Sequence, residues 1–369
     1  MMRASTLLLS LALFLIPNHD ARADEVDDWV TAQMVARHIP GVTIAVVKDG
    51  ILVKAQGYGL ADIENDVAAR PDTVYKIGSV SKQFIATGIM LLVQTGQVAV
   101  DARAGTYLTG LPSAWRDITV RHLMTHTSGL ARESPAFDGY RNRPDIDLIK
   151  AAFNLPLNGR PGDKYEYSNL GYYVLAEIIR AASGKPWAEF LHERVFAPLE
   201  MTNTQPTNVS AVIPHRARGY IWDAATSQYR NAPDFVAVRP SGAFVSTIFD
   251  LVRWEAALQT DRVLTAASRK DMWTAARLND SREVSYGFGW EVGWFPGGIG
   301  ATDVLMTRHV GTMPGFRSVY LRLPGQNMAV IVLSNLDEAD LDNLTAGIAV
   351  RYAPSLMPAY LNRWPTATP

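Results

Sequence analysis

Three short runs of side chains carry the chemistry this sequence could perform. Ser79-Val80-Ser81-Lys82 opens an apolar stretch through Phe84, Ile85, Ile89, Leu91 and Leu92, whose spacing reads as a helix over residues 81–93. Residues three apart on a helix share a face, so Lys82 stands one turn along from Ser79, within reach of its hydroxyl. A serine needs a neighbouring base to become a nucleophile, and a desolvated lysine can supply one. A helix start also offers backbone N–H groups and a positive dipole end to a developing oxyanion. The plain alternative is that Ser79 caps the helix and Lys82 is solvated. The S-x-x-K spacing alone does not decide, because a chain this long contains on the order of one by chance.

The second run is Tyr167-Ser168-Asn169, after Pro161-Gly162 and just before a helical pattern over 170–182. A tyrosine there could shuttle the serine's proton to a leaving group if a nearby ammonium lowers its pKa, and Asn169 could bond a substrate amide. The alternative is that Ser168 or Asn169 is only the N-cap and Tyr167 packs as a staple. The third run is His309-Val310-Gly311-Thr312, at the end of a strand-like stretch over 304–308. Gly311 would permit a close backbone approach, and the N–H of Thr312 could join that of Ser79 as an oxyanion donor. The alternative is a strand-end histidine before a Gly-Pro turn.

These runs need a frame. A helix-like stretch over 26–38 stops at Pro40-Gly41. Residues 42–47 and 51–57 read as strands joined by Asp49-Gly50, a strong hairpin signal. Residues 318–323 and 328–333 form a second hairpin turned by Pro324-Gly325-Gln326-Asn327, and a last helix spans 338–351. Between the ends, 81–93, 170–182, 188–195 and 247–258 have helical spacing. The simplest closure is one antiparallel sheet built from both ends, covered by the terminal helices, with a helical domain inserted. That is an α/β fold of the α+β type. It divides the chain into a sheet domain of 24–80 and 285–353, a mostly helical insertion of 81–284, and an irregular tail of 354–369.

Bulk composition removes several function classes. The chain has 369 residues, 48% of them hydrophobic and 19% charged, a net charge of -1 and no cysteine. Nothing points to nucleic acid, and thiolate metal sites, disulfides and cysteine nucleophiles are excluded. No metal or other cofactor is expected: His192-Glu193 lacks a second histidine at zinc-site spacing, and His122 and His126, which could share a helical face, lack a companion ligand. There is no G-x-S-x-G elbow. Arg3, an apolar run over 4–16 and Ala21-Arg22-Ala23 make a cleavable signal peptide of residues 1–23. The run is too short to span a bilayer, so a periplasmic or secreted protein without an integral membrane segment is expected. Nothing in the sequence indicates an oligomeric state.

Taken together, the three runs resemble the serine β-lactamase and penicillin-binding superfamily, in its class C-like branch with D-alanyl-D-alanine carboxypeptidases, D-aminopeptidases and esterases. His122 to Leu130, Tyr167 to Gly184, Ser241 to Trp254 and Tyr286 to Trp290 are similar to the family as well. The resemblance implies an acyl-enzyme on Ser79 with Lys82 as base. Tyr167 would act in acylation and in activating the deacylating water, and Asn169 would hold the substrate amide. The backbone of Ser79 and Thr312 would form the oxyanion hole beside Gly311. Small-molecule or peptide substrates with amide, ester or β-lactam bonds follow. The second element reads Tyr-Ser-Asn, which favours the class C-like branch. The third reads His309-Val310-Gly311 where true β-lactamases carry Lys-Thr-Gly, which disfavours carboxylated β-lactams unless acid charges His309. Arg317 could serve an anionic substrate or be a solvated strand residue. A non-catalytic module binding cell-wall peptides is the competing reading.

Overall fold

The chain reverses at Asp49-Gly50, where both residues take positive φ, 51° and 77°. This is the two-residue turn that Asp-Gly favours, because its twist matches that of the flanking strands. It joins β1 (Gly41–Lys48) to β2 (Ile51–Asp62). A computed structural model describes residues 25–208, 210–242, 244–295 and 303–356. The expected signal peptide and the tail beyond 356 lie outside them. The other strands of the main sheet are β3 (Val67–Ala68), β4 (Glu291–Phe295), β5 (Val304–Met313), β6 (Phe316–Leu323) and β7 (Met328–Ser334). They form a seven-stranded sheet in the order β4-β5-β6-β7-β1-β2-β3, antiparallel at every pairing. The two ends of the chain meet at its centre, with Val42 opposite Ser334 and Lys48 opposite Met328.

Both faces of the central strands are covered, which is why β1 and β7 read as near-continuous apolar runs. On one face Val42, Ile44, Val46, Val330 and Val332 pack beneath the terminal helices α1 (Glu25–Ala36) and α5 (Leu341–Tyr352). On the other, Ala45, Tyr320, Ile331 and Leu333 belong to one core with α2 (Lys82–Gln94), α3 (Asn169–Ser183) and α4 (Ile248–Leu258). Sheet and helices therefore share a single apolar layer. Among the described residues no helix is long and apolar enough to cross a membrane.

Several elements differ from the sequence reading. β5 runs on to Met313, so His309, Gly311 and Thr312 lie within a strand whose polar residues concealed its length. The pattern over 188–195 breaks into a helix, Trp187–Leu191, and a π turn, His192–Phe196. α5 starts at Leu341 because the Asp340 side chain accepts the Asn343 N–H as N-cap. The helix of His122 ends at Met124, and His126 follows it with φ 58°. The two histidines therefore share no helical face.

Candidate active site

The nucleophile turn and β5 interlock through two glycines. Gly78–Ser81 is a 3-10 turn leading into α2. Gly78 has φ 50°, and a Cβ there would lie 2.6 Å from the Thr312 nitrogen. At Gly311 a Cβ would lie 2.0 Å from the Ile77 carbonyl oxygen and 2.2 Å from Ser318 Oγ. Only two residues without side chains let the backbone of β5 approach the Ser79 turn this closely. The Ser318 hydroxyl donates to the Ile77 carbonyl at 2.8 Å and ties the turn to β6.

Ser79 does not cap the helix. Its Oγ lies 2.9 Å from the Tyr167 hydroxyl and 3.1 Å from Lys82 Nζ. Lys82 is fully buried, so the solvated alternative also fails. Its Nζ makes two further contacts, to Asn169 Oδ1 at 2.9 Å and to the Ser241 carbonyl at 2.7 Å. Burial pushes the Lys82 pKa well below its ordinary value, the Arg239 and Arg132 charges push the same way, and Glu133 opposes them. A neutral amine has two N–H donors and one lone pair. Asn169 Oδ1 and the Ser241 carbonyl can only accept here, so they take the donors and leave the lone pair for the Ser79 hydroxyl proton.

Ser168 caps α3, its Oγ accepting the Gly171 N–H at 3.0 Å, and this turns Tyr167 toward Ser79. The expectation that an ammonium would lower the Tyr167 pKa does not hold: burial is the largest influence and raises it. Tyr167 is therefore a phenol that donates to Ser79 Oγ. The Asn169 amide has a fixed orientation. Its Nδ2 donates to Glu133 Oε2 at 3.1 Å, which turns Oδ1 to Lys82. Glu133 also accepts from the Tyr173 hydroxyl at 2.6 Å and from Arg239 at 3.2 Å. His126 lies under Tyr167 with ring centres 4.2 Å apart, and its Nδ1 accepts the Ser168 N–H at 3.1 Å.

His309 lines the same cleft of about 440 Å³ as Ser79, Tyr167, Asn169 and Thr312. Its ring is spoken for by the protein. Nδ1 lies 2.8 Å from the Val310 carbonyl, which can only accept. Nδ1 therefore carries the proton, and Nε2 accepts from the Tyr286 hydroxyl at 2.8 Å. Burial pushes the His309 pKa down to about 3, so mild acid leaves it neutral. Arg317 is held by Thr312 Oγ1 and the Asp337 carbonyl. Among the described residues no group of three or more His, Asp or Glu side chains could hold a metal. The spacing patterns missed Glu133, Arg132 and Arg239. They sit in loops whose only sequence signal is proximity to motifs already found.

The chain belongs to the beta-lactamase family, whose model matches residues 26–353. It is 29% identical over 315 residues to Penicillin-binding protein 4* of Bacillus subtilis (strain 168), covering 80% of this chain and 68% of the relative. It is 26% identical over 325 residues to Protein flp of Staphylococcus aureus (strain N315), covering 85% of this chain and 63% of that protein. It thus spans about two thirds of the length of these relatives. Among solved structures, the octameric penicillin-binding protein homologue from Pyrococcus abyssi aligns with a TM-score of 0.78 at 24% identity, over 89% of this chain and 77% of that one. The D-amino acid amidase from Ochrobactrum anthropi SV3, complexed with L-phenylalanine amide, aligns with a TM-score of 0.73 at 26% identity, over 91% of this chain and 99% of the amidase. The likeness extends to an antiparallel sheet with helices on both faces, the serine β-lactamase and penicillin-binding-protein fold.

Proposed function

We propose that this protein is a serine hydrolase that forms an acyl-enzyme on Ser79 and cleaves amide or ester bonds in small-molecule or peptide substrates. One observation carries the reading. Ser79 Oγ touches both a buried lysine driven toward its neutral form and a phenol kept protonated, at 3.1 and 2.9 Å, on the wall of an open cleft. Lys82 takes the Ser79 proton as Oγ attacks the acyl carbon. Tyr167 gives its own proton to the departing nitrogen or oxygen and recovers one from Lys82 by way of the site. The acyl group then rests on Ser79, and a water deprotonated through the same pair releases it. The backbone N–H groups of Ser79 and Thr312 receive the oxyanion, and Asn169 meets the acyl amide. The amidase named above makes D-amino-acid amides the first substrates to test, beside short esters and β-lactams. We further propose that residues 1–23 direct export and are removed, so that the N-terminus of protein recovered from a secreting host begins at Asp24.

The test is labelling with a fluorophosphonate, together with turnover of an aryl ester, a D-amino-acid amide and a penicillin. Ser79 is the labelled residue, and Ser79→Ala loses both labelling and turnover. Full turnover by Ser79→Ala refutes the mechanism. A folded wild type that neither labels nor turns over any substrate favours the non-catalytic peptide-binding module.

A further inference from the structure

We propose that Gly242 sets the width of the acyl pocket and admits acyl groups with a bulky uncharged substituent beside the carbonyl; the proposal rests on the acyl-transfer reading of Ser79. The glycines of the site are not alike. At Gly78 and Gly311 an added Cβ would meet backbone at 2.6 and 2.0 Å, so the fold itself requires them. At Gly242 neither conformation nor packing does. Its φ lies outside the left-handed region. Among the described residues, the atoms nearest to an added Cβ are those of Gly78, at 3.6 Å and beyond, an ordinary contact. Alanine would therefore fit the backbone, yet the position lines the Ser79 cleft. A glycine on a cleft wall that neither turn nor packing demands leaves room for a ligand to approach.

The bonds at the reacting carbon identify the part of the substrate concerned. A tetrahedral carbon on Ser79 has four bonds, one of them to Oγ. The leaving atom takes the second and faces the Tyr167 hydroxyl, 2.9 Å from Oγ. The oxyanion takes the third and faces the N–H groups of Ser79 and Thr312. The acyl group takes the fourth and is left to the remaining wall. That wall is built around Lys82, whose Nζ donates to Asn169 Oδ1 at 2.9 Å and to the Ser241 carbonyl at 2.7 Å. Gly242 is the next residue, and its N–H donates to the Arg239 carbonyl at 3.1 Å. The Arg239 guanidinium is engaged by Glu133 at 3.2 Å, the Phe137 ring at 4.2 Å and the Met313 sulfur at 3.7 Å. With that charge paired, Gly242, Met313 and Pro314 offer the cleft an uncharged surface.

The experiment compares two esters with the same leaving group, 4-nitrophenyl acetate and 4-nitrophenyl phenylacetate, at one pH. The readout is the ratio of kcat/KM for phenylacetate to that for acetate, which cancels any effect on Ser79, Lys82 or Tyr167 common to both. In Gly242→Leu this ratio should fall at least about tenfold, the scale on which a pocket discriminates a methylene group. Gly242→Ala should lower it less, and should lower the corresponding ratio for the wider diphenylacetate further. An unchanged ratio, with both esters kept or both lost by one factor, overturns the proposal. Where Gly242→Leu does not fold, Gly242→Ala decides on the same terms with diphenylacetate. A second measurement needs no turnover: calorimetric binding of phenylacetamide to Ser79→Ala, with and without Gly242→Leu. Weakening of about tenfold supports Gly242 even where no ester is hydrolysed, and equal affinity or no binding to either refutes it. Absence of hydrolysis with that difference in binding counts against the acyl-transfer reading alone.

Discussion

Lys82 must be neutral to take the Ser79 proton, and its surroundings act on that proton in opposite directions. Burial is the main cause of its lowered pKa, Arg239 adds to it and Glu133 works against it. On a plot of kcat/KM against pH, the acid limb reports protonation of the free enzyme's base. Removing the cation in Arg239→Gln raises the Lys82 pKa and moves this limb to higher pH. Removing the anion in Glu133→Gln lowers the pKa and moves it to lower pH. A limb that moves the same way in both variants assigns the base elsewhere. His309 contributes nothing to this limb near neutrality, because its pKa is held at about 3. Acidification to pH 6 therefore does not charge it, contrary to what the histidine-for-lysine exchange suggests in sequence. Lys82 and Tyr167 both act through Ser79 Oγ, so they form one proton-transfer unit. Lys82→Ala and Tyr167→Phe should each cost roughly 10²–10⁴ in kcat, with the double variant little worse than either. Losses that multiply would separate the two roles.

The site depends on how closely two elements approach. β5 and the Ser79 turn touch through Gly311 and Gly78, where added side chains would meet backbone atoms at 2.0 and 2.6 Å. Backbone cannot yield as the end of a flexible side chain does, so Gly311→Ala must push the strand off the turn. Overpacking of this kind costs about 1–3 kcal/mol. It should appear as a lower Tm, together with a loss of kcat of at least tenfold as the Thr312 N–H moves from Ser79. Gly325→Ala, where the nearest atom to an added Cβ is 3.5 Å away, is the control. Unchanged kcat in Gly311→Ala would detach the strand from the chemistry. These elements were unequally legible in the sequence. The Asp49-Gly50 hairpin, the apolar strands β1 and β7, and α2 and α3 each carry local patterns, and local patterns are readable. The full length of β5 was not, because Arg308, His309 and Gly311 interrupt its apolar alternation and pairing with β6, joined at Arg308 by pairing with β4, holds them extended. Ser79, Lys82, Tyr167 and Asn169 were found through motif spacing, whereas Arg132, Glu133 and Arg239 come together only in the folded chain.

Across the whole molecule, the sheet and the helices beside the site stay together through one apolar core that encloses a buried ion pair. Arg322 on β6 bonds Glu255 on α4 through Nε at 2.7 Å and through a terminal nitrogen at 3.1 Å. The Tyr320 hydroxyl donates to the same carboxylate at 2.9 Å. Both charged side chains are nearly without solvent, at 6% and 2% exposure. The guanidinium lies over Trp273 at 4.2 Å, and its remaining terminal nitrogen has no partner. Such a pair loses much of its attraction to desolvation, yet removing one partner strands a buried charge. Arg322→Met alone should therefore destabilise by about 3–5 kcal/mol, and so should Glu255→Leu alone. The double variant, which leaves no charge behind, should lose far less than the sum. A denaturant titration of the four proteins closes this cycle. Neither residue lines the Ser79 cleft, so kcat per folded molecule should stay at the wild-type level throughout. Additive losses would mean that the two charges do not need each other. A fall in kcat at full folding would mean that the junction between sheet and helices also sets the geometry around Ser79.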